Sequence, residues 1–246
     1  MTSLKSRASR QLFRANRRIG AGEGVRSYSQ WGEDVFLFRY FLNVPSCDGR
    51  FLEAGACDGM TFSNTLFFEE DMGYSGLLVE PIPEMFREIR RRRARAVNAA
   101  LVGDDRKFVR MRSSEETSQL DDDDGAVVAP ATKLSTLLDG EAYVDFFSLD
   151  VEGSELEVLE GYPWGVVPLG VLLVEMLHES PPPPRRRNDA VRDFLRSRTS
   201  LRFATICGRN AAGCSEVWVD PHYFRRHVVF QNQNIDGWEL WKQHKN

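Results

Sequence analysis

Residues 51–59 read Phe-Leu-Glu-Ala-Gly-Ala-Cys-Asp-Gly, and residues 76–81 read Gly-Leu-Leu-Val-Glu-Pro. Each is a short apolar run that closes in an acidic or glycine-rich corner. Gly55 and Gly59 allow a tight turn in which backbone approaches a ligand. Glu80 follows about 20 residues later, the spacing at which a strand-end carboxylate accepts hydrogen bonds from the hydroxyls of an adenosyl ribose. The loop is not GxGxxG, because Asp58 stands inside it. A dinucleotide needs its pyrophosphate met by helix N-terminal N–H groups, and Asp58 would repel it. S-adenosylmethionine (SAM) carries a sulfonium and an ammonium and no phosphate, so the charge of the loop favours SAM over NAD. The plain alternative is a strand–turn–helix corner whose glycine serves only the backbone.

The elements that must position these residues follow from pattern. Ser29 and the acids of Gln30-Trp-Gly-Glu-Asp34 predict the start of a largely apolar helix reaching residue 43. Strands are predicted at 50–54, 76–80, 96–102, 144–149 and 166–175, then at 201–206, 215–219 and 227–230. Helices are predicted at 63–72, at 83–93 behind Pro81 and Pro83, at 133–138, at 154–160 up to Gly161, and at 188–198. Residues 103–132, with the acidic run Asp121–Asp124, read as a polar hairpin or mobile loop outside the core. Alternating strands and helices imply a mainly parallel sheet with helices on both faces. Ligands of such sheets bind beyond the C-terminal strand ends. Asp58, Glu80, Asp150, Glu152 and Glu175 all fall at such ends, and that convergence outweighs any single motif.

The chain of 246 residues suits one globular domain of residues 27–246 behind a basic, flexible tail of residues 1–26. That tail holds seven basic residues and one acid, so its +6 leaves −10 on the body within a net charge of −4. A basic tail suits nucleic acid, anionic lipid or an acidic partner, or is simply solvated. The sequence shows no apolar run of membrane-spanning length and no signal peptide. Cys47, Cys57, Cys207 and Cys214 are too scattered for a disulfide framework or zinc site. A cytoplasmic location follows from these readings.

Several stretches occur together in one order: Ser29–Asp34, Glu53–Gly59, Ser63-Asn-Thr65, Val79-Glu-Pro81, Asn98-Ala-Ala100 and Ser148–Glu155. Over residues 27–178 they resemble the FkbM family of SAM-dependent methyltransferases. The resemblance implies a seven-stranded, mainly parallel, Rossmann-like SAM-methyltransferase sheet, and O-methylation of hydroxyls on small molecules or glycans. It implies that Glu53, Gly55, Ala56, Asp58 and Gly59 line the methionine part of SAM, that Glu80 and Pro81 hold the ribose, and that Ala99 and Ala100 meet the adenine. Asp150 and Glu152 match the element next to the methyl group. Gln30, Glu33 and Asp34 match a motif that covers the site. Cys57 departs from the family pattern, which more often has Asn there. The loop Pro181–Arg187 has no recognised counterpart and leaves substrate choice open.

Methyl transfer to a hydroxyl is an in-line displacement that needs alignment and an acceptor for the hydroxyl proton. Asp150, Glu152 and His178 are the candidates for that work. The same three residues would be the ligands if a divalent metal activated the hydroxyl, but no HxxxH or dense acid run supports one, and Glu152 serves equally as a helix cap. Two other readings compete: an RNA methyltransferase using the basic tail, and a non-catalytic SAM-fold binding module. The −10 body and the lack of an Asn/Asp-Pro-Pro-Tyr element argue against the first. The intact Asp58, Glu80 and Asp150 argue against the second. The acceptor, metal dependence and homo-oligomer formation are not fixed by the sequence.

Overall fold

The computed structural model describes residues 26–42, 49–93, 95–113, 118–120, 127–177, 186–209 and 213–223. His178, Asp121–Asp124, Pro181–Pro184, the expected strand at 227–230 and all of the tail but Arg26 lie outside the described residues. The elements are α1 (Glu33–Tyr40), β1 (Arg50–Ala54), α2 (Leu66–Glu70), β2 (Ser75–Val79), α3 (Pro83–Arg92), β3 (Ala96–Val97) and β4 (Ala100–Leu101). They continue with β5 (Phe108–Ser113), β6 (Ser118–Leu120), β7 (Val127–Thr132), α4 (Leu134–Leu137), β8 (Val144–Leu149), α5 (Glu155–Glu160) and β9 (Leu169–Leu177). The last are α6 (Arg186–Arg198), β10 (Arg202–Arg209) and β11 (Gly213–Val219).

Seven strands form one sheet in the order β10-β11-β9-β8-β1-β2-β3. Only β11 runs against the rest, since it pairs antiparallel with both β9 and β10. All six residues of β8, at the centre, are buried, as a parallel strand covered on both faces requires. Alternate residues go to opposite faces. Leu52, Phe147 and Leu172 pack with Val158 and Leu159 of α5 and Val191 and Leu195 of α6. Phe51, Phe146 and Val171 pack with Leu37 and Phe38 of α1 and Phe67 and Phe68 of α2.

Register sets the site. Ala54 lies beside both Val79 and Leu149, and Leu149 beside Val174. The next residues along these strands, Gly55, Glu80, Asp150 and Glu175, therefore emerge at one level of one sheet edge.

The structure corrects two expectations. The strand expected over 96–102 is two short ones: β3 pairs with β2, whereas β4 leaves for a second sheet of order β4-β7-β5-β6. The break falls at Asn98, whose amide Nδ2 donates to the carbonyls of Glu80 (2.8 Å) and Pro81 (2.9 Å). Residues 103–132 are not outside the core. Val109, Met111 and Ala129 are buried with Ala100 and Val102, while Phe108, Arg110 and Val128 face out. The period of two in Phe-Val-Arg-Met is the strand signal, which the surrounding charge obscures.

Phe146 is fully buried among aromatic neighbours, with its ring centroid 5.1 Å from that of Phe68. Phe146→Ala should lose about 3–5 kcal/mol of stability, measured by urea denaturation. A loss below about 1 kcal/mol would show that this face of the sheet repacks freely.

Candidate active site

The loop after β1 lies against the end of β8. Gly55 adopts φ +77°, and a Cβ there would collide with the carbonyl oxygen of Asp150. Only glycine fits both the conformation and the approach. Its exposed backbone and the exposed Cys57 face the sheet edge. Cys57, Phe62 and Glu152 hold positive φ angles of 48°, 56° and 54°. Such angles cost non-glycine residues about 1–3 kcal/mol each and persist only where the surroundings enforce them.

One group of acids is satisfied by its own loops. Glu53 is buried and accepts from Ser63 Oγ (2.9 Å), Thr65 Oγ1 (2.6 Å) and the Asn64 N–H (3.0 Å). Burial pushes its pKa up, against the pull of Arg93 and these donors. The Arg93 side chain is itself 0% exposed, donates to the Gly59 carbonyl (2.7 Å) and to Thr65 Oγ1 (3.0 Å), and pairs with Glu69. Asp34 is buried and accepts from Ser27 Oγ (2.6 Å), Ser29 Oγ (2.8 Å) and the N–H of Tyr28 (2.7 Å) and Val35 (2.7 Å). Asp58 accepts from the N–H groups of Met60 (2.8 Å) and Thr61 (2.7 Å). Partial burial works to raise Asp58, but those bonds outweigh it and the net shift is downward.

Glu80, 5% exposed, accepts the Cys57 N–H (2.9 Å) on one oxygen and the Ile82 N–H (2.8 Å) on the other. Each oxygen keeps a second lone pair. Burial raises its pKa to about 7.

A second group of acids has mainly its own members for partners. Asp150, Glu152 and Glu175 bring carboxylate oxygens within 4.8 Å of one another. Burial, then repulsion from Glu175, pushes Asp150 well above the carboxylate range. Burial also raises Glu175, while its hydrogen bond with Asp150 works in the opposite direction. Glu152 is raised to about 7, first by burial and then by Asp150 and Glu155.

The structure thus brings Gly55, Glu80 and Asp150 to one edge, with Glu152 in the turn after β8 and Asp58 in the loop after β1. It gives Glu53 and Asp34 a different setting from the expected one: both carboxylates are spent on protein donors. Ala56, Ala99 and Ala100 are buried at 3%, 3% and 5% exposure, so they offer backbone and not side chain. Gln30 is exposed, Pro81 is half-buried, and His178 lies outside the described residues. Sequence reasoning missed two members. Arg93 reads as one of a run of arginines suited to a helix C-terminus, yet it alone of that run turns inward. Glu175 reads as a strand-end acid with no assigned role, and only the β8–β9 pairing puts it against Asp150.

Residues 53–201 match the Methyltransferase FkbM domain family. The chain belongs to the FkbM family of SAM-dependent methyltransferases. No curated protein matches it at the level of sequence. Among solved structures, the methyltransferase FkbM from Methylobacillus flagellatus KT is 13% identical with a TM-score of 0.47, over 70% of this chain and 43% of that one. The Methanococcus jannaschii fibrillarin pre-rRNA processing protein is 12% identical with a TM-score of 0.45, over 70% of this chain and 66% of that one. A SAM dependent methyltransferase from Aquifex aeolicus is 10% identical with a TM-score of 0.38, over 77% and 90%. The chain spans less than half the length of the Methylobacillus protein. Among the described residues no helix is long and apolar enough to cross a membrane.

The folded chain holds the Glu80 proton up to about pH 7, whereas an unfolded glutamate loses it near 4.3. The stability this contributes is full below the unfolded pKa and is lost as pH rises to about 7. Urea denaturation should show on the order of 3 kcal/mol lost between pH 4 and 8 from this group, with a flatter profile in Glu80→Gln. An identical slope in the variant would assign the loss elsewhere. Arg93→Ala leaves Glu53 buried without its cation and should cost about 3–5 kcal/mol in the same assay at pH 7; a loss below about 1 kcal/mol would mean Arg93 does not hold the loop.

Proposed function

We propose that the protein is a SAM-dependent O-methyltransferase whose acceptor is a hydroxyl of a small molecule or glycan. The observation that carries this reading is the set of acids just beyond aligned strand ends, Glu80, Asp150 and Glu175, with Glu152 in the turn after β8, beside the exposed backbone of Gly55. That donor set suits a cation bearing a ribose and is wrong for a pyrophosphate. SAM, when bound, supplies a methyl carbon activated by its sulfonium.

The chain's own residues do the rest. The free lone pairs of Glu80 accept from ribose hydroxyls, and the Gly55–Gly59 backbone borders the amino-acid end. Ala99 and Ala100 border the adenine through main chain. Asp150 and Glu152 stand where the acceptor hydroxyl must arrive. Glu152, with a pKa of about 7, is matched to taking up a proton near neutrality. Trp31 and Phe62 are 52% and 59% exposed, and a bridge between Ser29 and Phe62 joins their two segments. These rings offer an apolar wall for a sugar or other small acceptor. Among the described residues Cys57, Cys207 and Cys214 form no disulfide, which accords with a reducing, cytoplasmic setting.

Isothermal titration calorimetry with SAM tests the reading. Wild type should bind, and Glu80→Ala should bind about 10–100-fold more weakly, the worth of charge-assisted hydrogen bonds to the ribose. Absence of binding in the wild type would remove the proposal. Equal affinity in the variant would remove Glu80 from the site.

A further inference from the structure

We infer that the cleft beside the Glu152 turn is an acceptor subsite, in which Arg187 receives an anionic group, a carboxylate or a phosphate, carried by the molecule to be methylated. This deepens the methyltransferase reading above and rests on it for the role of the acceptor. Residues 103–106 after β4, the start of α5, and Arg187 at the start of α6 border a cavity of about 510 Å3. Its wall includes Gly153 and Ser154, the two residues that follow Glu152. The cavity therefore begins one residue along the chain, about 3.8 Å between Cα atoms, from a carboxylate placed where the acceptor hydroxyl must arrive.

The turn seats Arg187. Gly153 has φ +108°, and a Cβ at that position would collide with Arg187 Nη1. The bare glycine lets the guanidinium lie directly on the backbone of the turn. Its charge is nevertheless not spent. Arg187 is exposed and makes no ion pair or hydrogen bond among the described residues, although acids surround the turn. Glu152 is raised by burial and then by Asp150 and Glu155, with no offsetting pull from Arg187. The other cation of the cavity is in a different state. Arg106 pairs with Asp104 (2.6 Å) and with Glu157 (2.8 Å), so both of those carboxylates are engaged. Glu160, the remaining acid of the wall, is exposed and lies about 9 Å along the helix axis from Ser154.

A guanidinium presents its N–H groups in a rigid fork, which meets a carboxylate or phosphate with two parallel hydrogen bonds. A neutral acceptor would leave that fork idle at the mouth of the site. Arg187 also closes the Pro181–Arg187 segment, the stretch at which the sequence leaves substrate choice open. The acceptor class is thereby narrowed to hydroxyl compounds that bear an anionic group near the methylated position.

Isothermal titration calorimetry with three probes built on the same sugar ring tests the subsite. They are methyl glucuronide with a carboxylate, methyl glucoside 6-phosphate with a phosphate, and neutral methyl glucoside. At least one anionic probe should bind the full chain about 10-fold or more tightly than the neutral one, the worth of a charge-assisted pair. The anionic probe that binds assigns the group as carboxylate or phosphate. Arg187→Gln, checked for folding by circular dichroism, should remove the preference. Arg187→Lys should keep part of it, because it restores the charge without the fork. No binding of either anionic probe at millimolar concentration, equal affinity for the neutral probe, or a preference that survives Arg187→Gln would each overturn the inference. The SAM titration is a separate readout. SAM binding without an anion preference removes the subsite alone, and an anion preference without SAM binding removes its role in methyl transfer.

Discussion

The active edge depends on one buried charge arrangement, Arg93 against Glu53. Neither side chain reaches solvent to a useful extent, and each is costly to bury alone. Their charges are joined through shared hydroxyls: Ser63 and Thr65 donate to Glu53, while Arg93 donates to Thr65 and to the Gly59 carbonyl. The result ties the end of α3 to the end of β1 and to the loop between them. The loop so held carries Cys57 and Phe62 in left-handed conformations.

The acids of the site divide by how they are satisfied. Glu53, Asp34 and Asp58 have their oxygens filled by donors from their own neighbourhood, and their work is to set loop shape. Glu80 is intermediate, with one N–H on each oxygen and lone pairs to spare. Asp150, Glu152 and Glu175 have mainly one another.

Asn98 marks where one sheet gives way to another. Its amide donors fasten the carbonyls of Glu80 and Pro81. The chain then turns away from β2, and β4 joins β7 in the smaller sheet. The Glu80–Pro81 corner is thereby clamped by the segment that departs from it toward the smaller sheet.

The sequence by itself determined the order of strands and helices, the parallel character of the central sheet, and the positions of Gly55, Glu80 and Asp150 at strand ends. Those are local or near-local matters: apolar runs of the right length, proline and glycine punctuation, and acids placed at the corners. Parts were less visible for physical reasons. The period-two pattern of β5 was masked by charged outward residues, and Asn98 carried no propensity signal for a change of sheet. What only the tertiary structure decided is which acids share a partner. Glu53 and Glu80 look alike in sequence, each at the end of an apolar run. One meets Arg93 and two hydroxyls and becomes scaffold, while the other meets two N–H groups and keeps free lone pairs. Asp150 and Glu175 are 25 residues apart in the chain. The parallel pairing of Leu149 with Val174 makes them neighbours, because register is set by the burial of whole strands and not by the residues that follow them.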